Sequence, residues 1–121
     1  MSDLKTVDIK GKQYVPVSER LKHFRTNCPG YGLLSEVLHL DDKSCVIQAK
    51  IVDKSGFVAA MGTAREVNGS SFINKTSYVE NCETSAWGRA LGNFGIGIDA
   101  SVASAEEVLN AIKNQGEKNG Q

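Results

Sequence analysis

Residues able to do bond chemistry are few and widely spaced. The chain holds three cysteines, Cys28, Cys45 and Cys82, and two histidines, His23 and His39. No two cysteines stand as CxxC, and neither histidine is spaced with a cysteine as a zinc site needs. An odd number of separated thiols predicts free, structural cysteines and a reducing compartment, the cytoplasm. GxSxG, HExxH and the P-loop are absent. Asp41-Asp42 reads as a turn pair rather than a metal site. The glycines of Asn93-Phe94-Gly95-Ile96-Gly97-Ile98-Asp99 have a spacing that could admit a phosphate. The following Lys-Ser/Thr is missing, so the segment reads as a helix C-cap and turn. The expectation is no enzyme, no catalytic residue, no metal and no cofactor.

Binding chemistry is better represented. Lys10, Lys12, Lys43, Lys50, Lys54 and Arg65 fall in turns and strands. A loop rich in Asn, Ser and Thr carries Lys75, with Phe72 and Tyr78 among the polar residues. Amides, hydroxyls and lysines contact phosphates, and a ring stacks on a base. The total charge is zero, from 14 basic and 14 acidic residues, but it is unevenly spread. Residues 1–75 hold 11 basic and 8 acidic residues; residues 76–121 hold 3 and 6. A neutral chain of this kind can present one basic face.

The 121 residues make one domain, expected over 1–115, with a flexible polar tail at 116–121. No apolar run is long enough for a membrane helix. Residues 1–12 read as a leading segment with a turn at Lys10-Gly11-Lys12. A short helix is expected from Pro16 to Arg25, ended by Asn27-Cys28-Pro29-Gly30. Strands are expected at Leu33–Leu40, Cys45–Asp53 and Phe57–Glu66, joined by the short turns Asp41–Ser44 and Asp53–Gly56. The first should place Leu34, Leu38 and Leu40 on one face. The second should turn Cys45, Ile47, Ala49 and Ile51 inward, and the third should alternate Phe57, Ala59 and Met61. Helical spacing of Val79, Cys82, Ala86 and Ala90 predicts a long helix from about Lys75 to Asn93. Ser104-Ala105-Glu106-Glu107 is a capping box for a short helix over 105–115. The expected fold is α+β: a three-stranded antiparallel meander packed by a long helix, with a short N-terminal and a short C-terminal helix.

The segment Thr84-Ser85-Ala86-Trp87-Gly88-Arg89-Ala90-Leu91-Gly92-Asn93-Phe94-Gly95 resembles the helix end of single-strand annealing proteins of the Rad-fifty-two and phage Erf type. The matching residues are Ala86, Arg89, Ala90, Leu91, Phe94 and Gly95, and the resemblance spans residues 12–99. It implies ATP-independent binding of single-stranded DNA and annealing of complementary strands in phage-type recombination and repair. It also implies a homo-oligomeric ring or filament in a bacterial host cell, working beside a phage nuclease. The DNA-binding residues expected on this reading are Lys50, Lys54, Arg65, Lys75, Arg89, Lys10 and Lys12. Trp87, Tyr78 and Phe72 are candidates for base stacking or for a subunit interface; Trp87 could equally fill the core. A second groove is conceivable along Lys10, Lys12, Arg20 and Lys22. The alternative is a protein–protein adaptor or inhibitor that keeps the fold without binding DNA.

Overall fold

The computed structural model describes residues 4–71 and 73–98. In chain order these form β1 (Val7–Ile9), β2 (Lys12–Tyr14), α1 (Val17–Asn27), β3 (Gly32–Leu40), β4 (Ser44–Val52), β5 (Val58–Val67), a 3-10 turn (Ile73–Lys75) and α2 (Tyr78–Asn93). Among the described residues the architecture is α+β with two sheets, one of two strands and one of three, and two α-helices. This corrects the single three-stranded sheet expected from the sequence, because a second, two-stranded sheet precedes it. The leading segment is itself a sheet, with Val7 opposite Tyr14 and Ile9 opposite Lys12. Lys10 and Gly11 both have positive φ, 53° and 85°. That pair makes a two-residue turn of the primed kind, whose twist suits a hairpin. The Gly11 N–H donates to the Asp8 carboxylate at 2.8 Å and fixes the turn. At three residues each, these strands are too short for the alternation Val7-Asp8-Ile9 to mark them in the sequence. The expected helix at 105–115, its capping box and the tail at 116–121 lie outside the described residues, as does Phe72.

In the larger sheet the order is β3-β4-β5, antiparallel throughout. Side chains alternate along β4: Cys45, Ile47, Ala49 and Ile51 are buried, and the residues between them are half-buried. Helix α2 covers the buried face over β4 and β5, and α1 packs chiefly on α2. The other face of the sheet has no layer on it among the described residues.

Two strands face differently from the simple alternation. A bulge between Val37 and His39 inserts Leu38 into β3. Leu34 therefore opposes Lys50 on the open face, while Leu40 opposes Cys45 on the helix side. In β5 the inward residues are Ala60, Gly62 and Ala64, opposite Ile51, Ala49 and Ile47. Met61 points to the open face and is 45% exposed. The reason is space: a Cβ on Gly62 would run into the backbone of Arg89 and Ala90. Only small residues let α2 lie this close.

The stripe Cys82, Ala86 and Ala90, with Leu91, is fully buried in α2, and Val79 is half-buried at its start. Burying Phe24, Ile51 and Leu91 completely stabilises the fold by about 1.5–3 kcal/mol each. The C-terminus of α2 is a Schellman motif. Ile96 N–H donates to Leu91 O and Gly95 N–H to Gly92 O, both at 3.0 Å. Gly95 supplies the left-handed residue with φ 110°. Phe94 then meets Phe24 and Tyr31 edge-on, at centroid distances of 6.0 and 5.0 Å.

Candidate nucleic-acid interface

The cations expected to bind phosphate are scattered over the molecule. Lys50 and Arg65 oppose Met61 and Val46, so both stand on the open face. They are separated by four residues along β4, about 13 Å. The Lys50 ammonium is 3.2 Å from the Glu36 carboxylate, which neutralises it in place. Lys54 is exposed in the turn at one end of the sheet, and Lys75 is exposed in the 3-10 turn beyond the other end. Arg89 is exposed on α2, on the helix side. Lys10 and Lys12 stand at and beside the tip of the β1–β2 hairpin. These seven side chains occupy both faces and both ends of the molecule.

Two of the three candidate rings are engaged by the fold. The Trp87 Nε1–H donates to Ser35 Oγ at 2.8 Å, and the Tyr78 hydroxyl donates to Asp41 O at 2.7 Å. Both rings are half-buried against the core.

A groove along α1 does bring basic groups together. It has a volume of about 270 Å³ and is lined by Leu4, Lys5, Glu19, Lys22, His23, Thr26 and Asn27. The chain before β1 forms one wall and α1 the other. Glu19 accepts the Lys5 backbone N–H at 3.3 Å, so this carboxylate holds the wall rather than an ammonium. Asn27 donates its amide to the His23 carbonyl at 3.0 Å and lies 3.3 Å from His23 Nδ1, which orients the ring. Ser18, Lys22 and Arg25 follow each other at i, i+4 and i+7 and are all exposed. The Arg25 guanidinium lies over the Phe24 ring at 5.5 Å. Among the described residues the ion pairs are Lys50–Glu36 and His39–Asp41, and neither involves Lys5, Lys22 or Arg25. The excess of basic residues over positions 1–75 was legible in the sequence. The stripe of Lys22 and Arg25 was not singled out, because α1 was bounded there without assigning its outer face.

A second cleft, of about 200 Å³, lies between α1 and α2, with Arg20, Glu66, Ser85 and Arg89 in its walls. Its base is structural. Arg20 is buried and donates from Nε to Val15 O at 3.2 Å and from Nη1 to Gly88 O at 3.5 Å. Burial lowers its pKa from the ordinary arginine value. Glu66 accepts from buried Asn74 at 2.8 Å, and Asn74 also accepts from Asn81 at 3.1 Å. That network pins the loop before α2.

Asp41, Asp53 and Cys82 are spent on the fold. Asp41 and Asp53 each accept backbone N–H groups of their own turns, at 2.8 Å from Lys43 and Ser44 and at 2.9 Å from Ser55. Hydrogen bonds to the charged form hold both carboxyls below the usual range, led by the Ser44 N–H for Asp41 and the Ser55 side chain for Asp53. Burial pushes the Cys82 thiol up to about 11, which makes it a poor nucleophile. No group of three metal-ligating side chains exists among the described residues, and no helix there is long and apolar enough to cross a membrane.

Residues 21–94 match the profile of the family described as "Slr1353 N-terminal dsRNA-binding domain-like". No curated protein and no solved structure matches the chain. The family match overturns the resemblance to single-strand annealing proteins. The residues that carried that resemblance have packing duties instead. Ala86, Ala90 and Leu91 are buried in the core, and Gly95 closes the Schellman motif. A helix laid closely on a sheet calls for such residues whatever the domain binds. The match covers more than half of the 121 residues, and the chain belongs to the Slr1353 N-terminal dsRNA-binding domain-like family.

Proposed function

We propose that this domain is a non-catalytic nucleic-acid-binding module that takes an A-form duplex against the groove of α1. The observation that carries the reading is the convergence of Lys5, Lys22 and His23 on one groove, with Arg25 on the adjoining stripe. The family's description, which likens its domain to one that binds double-stranded RNA, supports the choice of ligand. Double-stranded RNA is recognised by shape and by contacts to phosphate and 2′-hydroxyl, which suits lysines with Thr26 and Asn27 beside them. The ends of α1 lie about 16 Å apart at 1.5 Å per residue, enough to follow two or three phosphates. No Phe, Tyr or Trp lines the groove, so base stacking, on which single-strand binding relies, has only His23.

The test is a titration of labelled RNA duplex of about 20 base pairs, just over the span a double-stranded RNA-binding domain covers. Single-stranded RNA and single-stranded DNA of the same length serve as competitors. Duplex should bind most tightly. Its affinity should fall between about 50 and 200 mM salt with a log–log slope of roughly −2 to −3, for about three phosphates. Equal competition by single-stranded DNA would return the ligand to the single-strand class. Absence of binding to any of the three would favour a second reading, a protein-binding adaptor. Zero net charge and the exposed apolar row on β3 speak for that one.

A further inference from the structure

Strand β3 lies at the edge of its sheet, nine residues long, and no other strand covers its outer side among the described residues. Val37, Leu38 and Leu40 on it are 51–54% exposed. A long apolar edge is a template for another strand unless charges or prolines blunt it. Charge is present here, but it is patterned. Glu36 opposes Gln48 and His39 opposes Val46, so both stand on the open face, separated by the bulge. Among the described residues the ionisable side chains paired with them are Lys50, on Glu36, and Asp41, on His39.

We infer that β3 pairs with β3 of a second copy of this chain, antiparallel, about a two-fold axis through the Val37–Leu38 step. Residue faces decide the register. With the axis there, Glu36 of one copy meets His39 of the other, and the same contact repeats across the axis. Both residues are on the open face, as cross-strand partners must be. Ser35 and Leu40 oppose Ala49 and Cys45, so both are on the helix side, and they meet in the same register. Leu40 is thereby carried to Trp87, which is hydrogen-bonded to Ser35 and half-buried. The four Val37 and Leu38 side chains gather at the axis, where the bulge frees backbone from the ladder within each copy. A shift by one residue would place Glu36 on the face opposite its partner, because strand side chains have a period of two. The product is one six-stranded sheet with both helical layers on the same side.

Sedimentation of the wild type across low to high micromolar concentration tests this, with charge variants to fix the register. The wild type should approach twice 13.0 kDa. Glu36→Lys should weaken the dimer about tenfold, since both symmetry-related pairs lose their carboxylate–imidazole contact. His39→Glu should do the same. Glu36→Lys combined with His39→Glu should recover the dimer, because the swapped charges again face each other. Circular dichroism on each variant checks that it is folded. Should a charge variant not fold, hydrogen exchange of the wild type reads the same claim: β3 amides become protected as concentration rises. A wild type that stays at 13.0 kDa throughout, or a dimer indifferent to the swap, overturns the proposal. A monomer whose β3 amides are protected at every concentration does so as well, placing residues of the same chain on that edge.

Discussion

The Cys82 thiol donates to two backbone carbonyls, Cys45 O at 3.3 Å and Ala64 O at 3.4 Å, and has no exposed surface. Cys45 is equally buried, whereas Cys28 is only half-buried. Alkylation of the native protein at neutral pH should therefore label Cys28 first and leave Cys45 and Cys82 protected until the chain unfolds; mass spectrometry of the labelled peptides checks this. The same burial has a pH signature. The folded thiol titrates at about 11 and the unfolded one near 9.0. Below the lower value both states keep the proton, and the contribution of Cys82 to stability is complete. As pH rises from there through the folded value, the unfolded state ionises first and that stability is lost. Replacing Cys82 by Ala should flatten this part of the alkaline decline in melting temperature. Asp53 behaves in the opposite sense. Its folded carboxyl lies below the ordinary range, so its contribution is present at neutral pH and lost as pH falls through the folded value. Asp53→Ala should lower the melting temperature at neutral pH and narrow the gap from wild type in acid. The sequence already marked these aspartates as turn residues and the cysteines as core. The hydrogen-bond partners that set their titration come from chain distant in sequence only for Cys82, and that is where the sequence was silent.

The contact between α2 and β5 depends on missing side chains. A Cβ on Gly62 would strike the backbone of Arg89 and Ala90, which has no flexible end to move aside. Gly62→Ala should therefore cost about 1–3 kcal/mol, the range for overpacking a core. Gly88→Ala meets Val17 Cγ2 at 2.7 Å, a side-chain atom that a rotamer change can relieve, so its cost should be smaller. Urea unfolding of both variants checks the order; a more damaging Gly88→Ala would contradict it. The inward row Cys45, Ile47, Ala49 and Ile51 was legible because β4 alternates without interruption. The faces of β3 and β5 were not. One inserted residue, Leu38, reverses the alternation halfway along β3. In β5 the closeness of α2 selects Ala60, Gly62 and Ala64 over the larger Met61 for the inner face, against hydrophobicity. Of the β1–β2 hairpin only the turn at Lys10-Gly11-Lys12 was legible, because strands of three residues are too short to show themselves by alternation.

For the whole molecule, zero net charge conceals an arrangement in which cations gather around α1 while Lys50, on the sheet, is neutralised by Glu36. A two-fold dimer through β3 would set two α1 grooves on one side of a continuous sheet. A duplex long enough to reach both would then bind more tightly than either groove alone, by effective concentration. The excess of basic residues in residues 1–75 was readable from the sequence, but its focus on α1 was not. The groove depends on the chain at Leu4 and Lys5 running beside α1, a contact between segments 14 or more residues apart. The central claim is that this groove holds the nucleic acid. Its most direct measurement is the duplex titration repeated on two folded variants of equal charge change. Lys5→Glu combined with Lys22→Glu reverses the groove; Arg65→Glu combined with Lys75→Glu reverses cations remote from it. The account predicts that the groove variant loses at least about tenfold in affinity and flattens the salt slope by roughly one unit per lost phosphate contact, while the remote variant binds like the wild type. Full binding by the groove variant, with loss in the remote one, would contradict it.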